Sequence, residues 1–238
     1  MTIAIIIAGG SGTRMGFETP KQFLEVDGKP VLVYTLESFQ RHADIDAIEV
    51  VCIDGWQDRL RKYGIHYGIS KLRWIATGGN SAQESIRNGL EFIHGTCGAD
   101  DLVVVHDGIR PLVDEFVLSD VIRVCRLHGN AVTALPYNEQ IFVASDAEST
   151  TAYVPRETIR RVSTPQAYHY GELADAYRKA FETGVGIGPS SYANTMMVDL
   201  GYRLWFAAGS DKNIKLTTKD DLELFKGYLA SRRERNDP

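Results

Sequence analysis

The amino-terminal segment limits the possible folds of this 238-residue chain more than any other. Residues 3–7 form an apolar, mostly β-branched run without alternation, which is typical of a strand covered on both faces of a sheet. The run stops at Ala8, Gly9 and Gly10, and the glycine-rich segment that follows contains Arg14, with Lys21 beyond it. Glycine lets backbone N–H groups approach a phosphate closely because it has no Cβ. The segment therefore predicts a strand that leads into a loop suited to a triphosphate.

Two common nucleotide-binding motifs do not fit this loop. A P-loop requires GxxxxGK followed by Ser or Thr, and no lysine stands in that register. A dinucleotide fingerprint requires GxGxxG, but Met15 occupies the position of the third glycine and Gly16 comes one residue late. An NAD-dependent oxidoreductase is therefore disfavoured, whereas an ordinary glycine-rich turn with two surface cations stays open as an alternative.

Composition and charge argue against several classes of function. A net charge of −5 gives no electrostatic basis for binding nucleic acid or a membrane surface. Cys52, Cys97 and Cys125 are widely spaced and form no CxxC pair, so we expect free thiols in a reducing cytosol rather than a metal or redox site. The amino terminus lacks a basic region, and its apolar run is too short for a signal or membrane span. These features predict a cytoplasmic protein.

Strand and helix patterns alternate through the first 135 residues. The predicted strands are 3–7, 45–53, 72–76, 102–105 and 131–135, and the predicted helices are 30–40, 56–63, 81–93 and 114–127. This alternation predicts an α/β fold with a doubly wound, mostly parallel sheet and helices on both faces. In such a sheet we expect ligands at the carboxyl ends of the strands.

The pattern changes after residue 135. Residues 136–161 read as a hairpin, which we interpret as a protruding arm that reaches a second subunit or, alternatively, as a plain surface hairpin. A helix over 171–183, a Gly/Ser-rich stretch over 184–191 and a strand over 202–207 are predicted next. The last helix, over 222–229, is introduced by Thr218 and Asp221 at the spacing of a capping box.

Two further segments are candidates for the ligand crevice. Gly78, Gly79 and Asn80 follow a predicted strand, and Ser85 lies at the start of the next helix, so their N–H groups can recognise a base or a phosphate. An ordinary βα turn is an equally good interpretation of these residues. Residues 211–217 add lysines, including Lys215, before the last helix; alone they would be interpreted as a solvated charge run.

Asp107 ends the apolar strand that begins at residue 102, which places a carboxylate at the crevice. Mg²⁺ usually takes only one or two protein carboxylates together with substrate phosphates, so Asp107 is the candidate metal ligand. We interpret His106 as a core residue rather than a catalytic one, and expect Arg110 to pair with Asp107 or to support the loop. Phosphoryl-type transfer needs cations and in-line positioning more than covalent help, and these clusters supply both.

Six segments together resemble one known family. AGGSGTRMG with PKQ, KQFLEVDGKPVLVYTLESF, GGNSAQESIRNGL, VVHDGIRP, STPQAY and NIKLTTKDDL resemble, in order, the methylerythritol-phosphate cytidylyltransferases and their ribitol-5-phosphate sisters. The similarity runs from residue 3 to about residue 229. It implies a single Rossmann-like nucleotidyltransferase domain over 1–238. It also implies the reaction of CTP with a polyol phosphate to give a CDP-polyol and pyrophosphate, with Mg²⁺ as cofactor.

The resemblance also implies roles for individual residues. Arg14, Lys21 and Lys215 would stabilise the charge that develops at the α-phosphorus, and Asp107 would bind Mg²⁺. The implied substrate-binding residues are Ala8, Gly9, Gly10, Gly12, Gly79, Ser85, Arg110, Arg156 and Thr164. Arg156 stands eight residues before Thr164 and matches an arm arginine that grips the substrate phosphate from the partner subunit. A homodimer is therefore implied.

The acceptor is less closely defined than the reaction. Methylerythritol 4-phosphate, for isoprenoid synthesis, is the first candidate, and ribitol 5-phosphate, for a wall or capsule polymer, is the alternative. A nucleotide-binding protein without turnover is an alternative of another class. The chain departs from the usual family pattern at four places: Ala82 in place of an arginine, Gly108 in place of an alanine, Glu139 and Gln140 in the arm, and Ser191 and Tyr192 before the last strand.

Overall fold

In a computed structural model, which describes residues 1–10, 19–188 and 191–236, the core is a seven-stranded sheet. The strands are β1 (Thr2–Ala8), β2 (Glu25–Val26), β3 (Lys29–Pro30), β4 (Ala47–Cys52), β5 (Leu72–Thr77), β6 (Leu102–Asp107), β7 (Asn130–Pro136), β8 (Ile141–Val143), β9 (Ala152–Val154), β10 (Arg160–His169) and β11 (Phe206–Ala208). The helices are α1 (Val31–Arg41), α2 (Gln57–His66), α3 (Ala82–Phe92), α4 (Glu115–His128), α5 (Tyr170–Thr183), α6 (Ala193–Asp199) and α7 (Lys219–Asn236).

The order across the sheet is β11-β7-β10-β6-β1-β4-β5. Neighbouring strands are parallel except at β10, which runs antiparallel to both β6 and β7. The prediction of a doubly wound, mostly parallel α/β sheet is confirmed. All the strands predicted in the first 135 residues are present in this sheet, with ends that differ by at most two residues.

Two hydrophobic layers cover the sheet, as the unbroken apolar strands predict. Ala4 and Ile6 of β1 point to the layer built with α1, α2 and α4. Ile3 and Ile5 point to the layer built with α3, α5 and α6. Each of these isoleucines is fully buried, and burial of such a side chain contributes about 1.5–3 kcal/mol. Helices therefore lie on both faces, and ligands can approach only at the strand ends.

The second half of the chain differs from the sequence prediction at three elements. β10 and α6 have no counterpart in the prediction, and β11 spans Phe206–Ala208 instead of the expected 202–207. Pro165 lies inside β10, and proline in a run normally argues against a central strand; here the ladder shifts register between Ser163 and Gln166 and accommodates it. α6 has only seven residues, too few to give a clear helical period.

The capping box of the last helix is confirmed, although the helix is longer than predicted. The backbone N–H of Asp221 donates to Oγ1 of Thr218 over 3.2 Å, and the N–H of Thr218 donates back to the Asp221 carboxylate over 2.7 Å. The helix then continues as far as Asn236. Its Phe225 is fully buried in a small cluster with Ile109 and Leu216, which fixes the segment before the helix against the loop after β6.

The predicted arm contains a hairpin of β8 and β9, in which Ile141 is paired with Val154. The hairpin forms a two-stranded sheet of its own. Arg160 and Arg161, which the prediction included in the arm, instead begin β10 of the central sheet. The arm leaves the central sheet at the carboxyl end of β7, on the edge where β1 and β6 also end. Its role in dimerisation stays a prediction.

Candidate active site

A cavity of about 500 Å³ opens at the carboxyl ends of β1, β5 and β6. Its walls come from the loop after β1, the start of α3, the end of β6 and the segment before α7. The lining residues are Ile7, Ala8, Gly9, Gly10, Lys21, Gln22, Gly79, Asn80, Ser81, Ala82, Ser85, Asp107, Ile109 and Lys215. The edge of the sheet at which the sequence places the ligand is therefore the edge that carries the cavity.

Gln22 holds the start of the glycine-rich loop in place. Its side-chain amide donates to the carbonyl oxygens of Ala8 over 2.7 Å and of Gly10 over 3.0 Å, and only 2% of the residue is exposed. The adjacent Phe23 is buried and stacks on Trp56 with ring centroids 4.5 Å apart. This stack anchors the short 3-10 turn Lys21–Phe23, and the turn carries Lys21 into the cavity wall.

The opposite wall depends on a close approach between two loops. A Cβ on Gly9 would lie 3.0 Å from Oγ of Ser85, and a Cβ on Gly78 would lie 3.0 Å from Cα of Gly9. The Ser85 hydroxyl in turn accepts a hydrogen bond from the Gly79 N–H over 3.0 Å and donates to the Ser81 carbonyl over 2.9 Å. Ser81 caps α3 by accepting from the Glu84 N–H. Both loops are therefore fixed side by side at the start of α3, a site suited to an anion.

Asp107 lies between two cations at the end of β6. Its Oδ1 is 3.1 Å from Nζ of Lys215, and its Oδ2 is 2.9 Å from Nε of Arg110. Burial by itself would raise the pKa of Asp107, but the charges of Lys215 and Arg110 and the hydrogen bond from Arg110 outweigh it and lower the pKa to about 2. The carboxylate is thus ionised throughout the physiological pH range.

His106 faces away from the cavity into the core. It is fully buried, and burial lowers its pKa to about 4, so the ring is neutral at physiological pH. Its Nε2 lies 3.2 Å from the carbonyl oxygen of Arg110, which can only accept, so Nε2 carries the proton. His106 therefore supports the loop after β6, in agreement with the core interpretation.

β10 and the segment before α7 complete the surroundings of Asp107. The hydroxyl of Thr164 accepts from the Asp107 N–H over 3.1 Å, and the Thr164 carbonyl accepts from the Asn213 side-chain amide over 2.6 Å. The backbone carbonyl of Asn213 accepts from Nη1 of Arg110 over 2.7 Å. Because β10 is antiparallel to β6, its amino-terminal half is the part that reaches this edge of the sheet.

The structure brings together most of the residues predicted from the sequence. Ala8, Gly9, Gly10, Lys21, Gly79, Ser85, Asp107 and Lys215 line the cavity, while Arg110 and Thr164 contact Asp107 directly. Gly12 and Arg14 lie outside the described residues. Arg156 does not line this cavity; it lies exposed in the arm, where Nη1 is 3.4 Å from the carbonyl of Asn138. Asp211 forms an ion pair with Arg161 at the start of β10.

Two of the residues that build the site were not given roles by the sequence. Gln22 and Asn213 are 2% and 4% exposed, and both hold functional segments through their side-chain amides. One signal in the sequence is proximity to the predicted cations, because Gln22 stands next to Lys21 and Asn213 stands two residues before Lys215. Burial gives no such signal. A buried glutamine or asparagine cannot be distinguished by pattern from a surface residue, and both segments are too short to show a period.

The arrangement suits a polyphosphate and a metal. Lys21 and Lys215 supply positive charge, and the two glycine-containing loops supply backbone near the cavity. Within residues 1–10, 19–188 and 191–236 no group of three acidic, histidine or cysteine side chains is placed to hold a metal. Mg²⁺ commonly uses only one or two protein carboxylates and completes its shell with phosphates and water. A carboxylate has about four lone-pair positions, so Asp107 can still bind a cation beside its two present partners.

Comparisons with known proteins show the family of the chain. The model of the family IspD, 2-C-methyl-D-erythritol 4-phosphate cytidylyltransferase, matches residues 2–231. The chain is 57% identical to the ribitol-5-phosphate cytidylyltransferase of Lacticaseibacillus paracasei, over 98% of this chain and 99% of the relative. It is 36% identical to the 2-C-methyl-D-erythritol 4-phosphate cytidylyltransferase of Syntrophus aciditrophicus, over 95% of each chain.

A solved structure of a relative has the same fold as this chain. The crystal structure of the Francisella tularensis 2-C-methyl-D-erythritol 4-phosphate cytidylyltransferase superposes with a TM-score of 0.78 at 27% identity, over 94% of this chain and 97% of that one. In the part of the chain that is described, no helix has the length and apolar character to cross a membrane. The chain belongs to the IspD family of cytidylyltransferases, and it is therefore a nucleotidyltransferase that uses CTP and a polyol phosphate.

Proposed function

We propose that this enzyme transfers the cytidylyl group of CTP to ribitol 5-phosphate and forms CDP-ribitol and pyrophosphate. The observation that carries the choice of acceptor is the 57% identity, over nearly the whole length, to a relative named ribitol-5-phosphate cytidylyltransferase. The relative named for methylerythritol 4-phosphate is only 36% identical. The order of the two acceptors given by the sequence is therefore reversed, and methylerythritol 4-phosphate becomes the second candidate.

Positions in the arm and before α6 support the same choice. Glu139 and Gln140 stand in the arm where the family usually carries an aspartate and a threonine, and both are exposed. Tyr192 is 56% exposed at the start of α6, in place of the usual acidic step. These residues lie in or near the segments that the resemblance assigns to the polyol. A changed set of hydrogen-bonding groups there is expected to change which polyol is accepted, because a site that hydrogen-bonds a substrate hydroxyl discriminates against an analogue that lacks it.

The reaction that we propose is a substitution at the α-phosphorus of CTP. A phosphate oxygen of the acceptor attacks this phosphorus, the bond to the bridging oxygen of the β-phosphate breaks, and pyrophosphate leaves. Lys21 and Lys215 lie on the cavity wall, where they can stabilise the charge that develops on the transferred group. Arg14 has the same role in the proposal. The loops at Gly9 and Gly79 hold the nucleotide, and Ser85 fixes their separation.

We infer that Asp107 holds Mg²⁺ during the reaction. It is the carboxylate in the cavity wall, and its low pKa keeps it available as a metal ligand. The ion would neutralise part of the phosphate charge. Lys215 and Arg110 each pair with one carboxylate oxygen, and the remaining lone-pair positions of Asp107 would take the divalent cation.

We also infer that the enzyme acts as a homodimer in the cytoplasm and that Arg156 binds the acceptor phosphate of the neighbouring subunit. Arg156 is exposed on the arm and does not line the cavity of its own chain. Phe142, Val143 and Tyr153 of the arm hairpin are each more than half exposed. An apolar hairpin of this kind is better explained by contact with another chain than by solvent.

The experiment is pyrophosphate release by the purified protein with CTP and Mg²⁺, with ribitol 5-phosphate and methylerythritol 4-phosphate offered in parallel. We expect kcat/KM to favour ribitol 5-phosphate by at least tenfold. Preference for methylerythritol 4-phosphate would reverse the assignment of the acceptor and leave the reaction class intact. No release with either compound would contradict the proposed substrate class. UTP and ATP in place of CTP test whether Ala82 permits another base.

A further inference from the structure

Asn213 connects the two residues that flank Asp107, although it touches neither the carboxylate nor the cavity wall. Its side-chain amide donates to the carbonyl of Thr164 over 2.6 Å, and its backbone carbonyl accepts from Nη1 of Arg110 over 2.7 Å. Thr164 and Arg110 in turn bind the backbone N–H and the carboxylate of Asp107. Three segments that are far apart in the sequence therefore close a ring of hydrogen bonds around one carboxylate.

The ring is largely shielded from solvent. Asn213 is 4% exposed, and the side chain of Arg110 is 15% exposed. Oδ1 of Asn213 has no hydrogen-bond partner among the described residues. The orientation of the side chain is therefore set by the hydrogen bond that its Nδ2 donates to the Thr164 carbonyl. Loss of that amide would leave the Thr164 carbonyl without its donor, a costly state for a buried group.

We propose that Asn213 is a positioning residue, which fixes Arg110 and Thr164, two residues that the resemblance assigns to substrate binding, on either side of Asp107. The proposal rests on the proposed function for the identity of the acceptor. It predicts that the Asn213 amide, by its bond to Thr164, holds the Asn213 backbone carbonyl in place for Arg110, and that Asn213 has no contact with substrate. Substitution of Asn213 should change the affinity for CTP little, because Gln22 and Ser85 hold the loops at Gly9 and Gly79.

The chain offers a matched control in Asn130. Asn130 is also 4% exposed, and its side chain also links separate segments, since it donates to the carbonyl of Arg203 over 3.0 Å and accepts from the N–H of Trp205 over 3.2 Å. It ties β7 to the segment before β11 and does not line the cavity. If Asn213→Ala lowered kcat/KM only by weakening the packing, Asn130→Ala should lower it equally.

The first test is a double-mutant cycle on kcat/KM for ribitol 5-phosphate. We expect Asn213→Ala to lower kcat/KM at least about tenfold in the wild-type background and less than about twofold in an Arg110→Ala background. The Kd for CTP, measured by calorimetry without acceptor, should stay within about twofold of wild type, as should all constants of Asn130→Ala. Equal losses in both backgrounds, or wild-type kinetics in Asn213→Ala, would overturn the proposal. Asn213→Asp keeps the shape and removes the donor, so it replaces Asn213→Ala if that variant does not fold.

A second measurement does not depend on turnover. Phenylglyoxal labelling of Arg110, followed by mass spectrometry, reports how firmly its guanidinium is held. We expect labelling to be faster in Asn213→Ala than in wild type and unchanged in Asn130→Ala. Unchanged labelling in Asn213→Ala would refute the positioning role, whereas wild-type enzyme that fails to release pyrophosphate would refute only the proposed function.

Discussion

Glu49 is a buried acid in a structural position, and it should make the stability of the fold depend on pH. It lies in the middle of β4, fully buried, opposite Ile5 of β1 and Trp74 of β5. Its Oε2 lies 3.4 Å from the point that a Cβ on Gly89 of α3 would occupy, so the carboxyl group is covered by that helix. Neither carboxyl oxygen has a hydrogen-bond partner among the described residues.

Burial raises the pKa of Glu49 from 4.5 to about 8. The folded state therefore keeps its proton at neutral pH, whereas the unfolded state releases it. The contribution of Glu49 to stability is fully present below pH 4.5 and is lost as the pH rises toward about 8. At about pH 7 the loss corresponds to roughly 3 kcal/mol of unfolding free energy, a large share of the stability of a typical domain.

Glu49→Gln keeps the shape of the protonated acid and cannot ionise. We expect it to be more stable than wild type by about 3 kcal/mol near pH 7, with a difference that shrinks steadily toward pH 5. Urea unfolding at several pH values between 5 and 8 measures this difference, provided that the slope with urea is unchanged. Glu148→Gln, the same substitution at an exposed arm position, should leave stability unchanged at every pH. A gain from Glu49→Gln that did not vary with pH would refute the reasoning.

Three further substitutions test the site. Gly108→Ala places a Cβ 2.9 Å from Cδ1 of the fully buried Leu32. We therefore expect urea unfolding to show that the free energy of unfolding falls by about 1–3 kcal/mol. Lys21→Ala should lower kcat about a hundred- to a thousandfold with an unchanged circular dichroism spectrum, and a near-normal rate would contradict its role. Arg156→Ala should raise KM for the acceptor and leave the Kd for CTP unchanged; a large loss of CTP affinity with normal acceptor use would contradict its place in the acceptor site.

The first half of the fold follows from short-range patterns in the sequence. Residues 3–7 and 102–105 are strands buried on both faces, and an unbroken apolar run admits few other interpretations. The helix predicted over 81–93 is present as α3, although Ser81, its expected first residue, is instead its N-cap. Because parallel strands end on one edge, the position of Gly9 and Asp107 at those ends was sufficient to place both in one cavity.

The second half follows from tertiary contacts that no local pattern records. β10 combines exposed arginines, a proline and a buried tyrosine, and only its pairing with β6 and β7 makes it a central strand. The same is true of Asn213, which lies between Lys212 and Ile214 in the sequence and whose burial depends on the meeting of three segments. Each was missed because its environment is built by distant segments: β10 pairs with β6 and β7, and Asn213 meets Thr164 and Arg110 at separations of 49 and 103 positions, beyond the range of any sequence period.

The antiparallel direction of β10 has a chemical consequence. If β10 were parallel to β6, its amino-terminal half would lie at the opposite edge of the sheet, and Thr164 would be far from Asp107. Because it is antiparallel, Thr164 meets the end of β6, and the arm that precedes β10 leaves the sheet at the same edge. The segment that carries Arg156 is thus joined directly to the strand that supports the metal-binding carboxylate in our proposal. A partner chain that fixes the arm would at the same time fix the position of Thr164, so acceptor binding and dimer formation are expected to be energetically coupled.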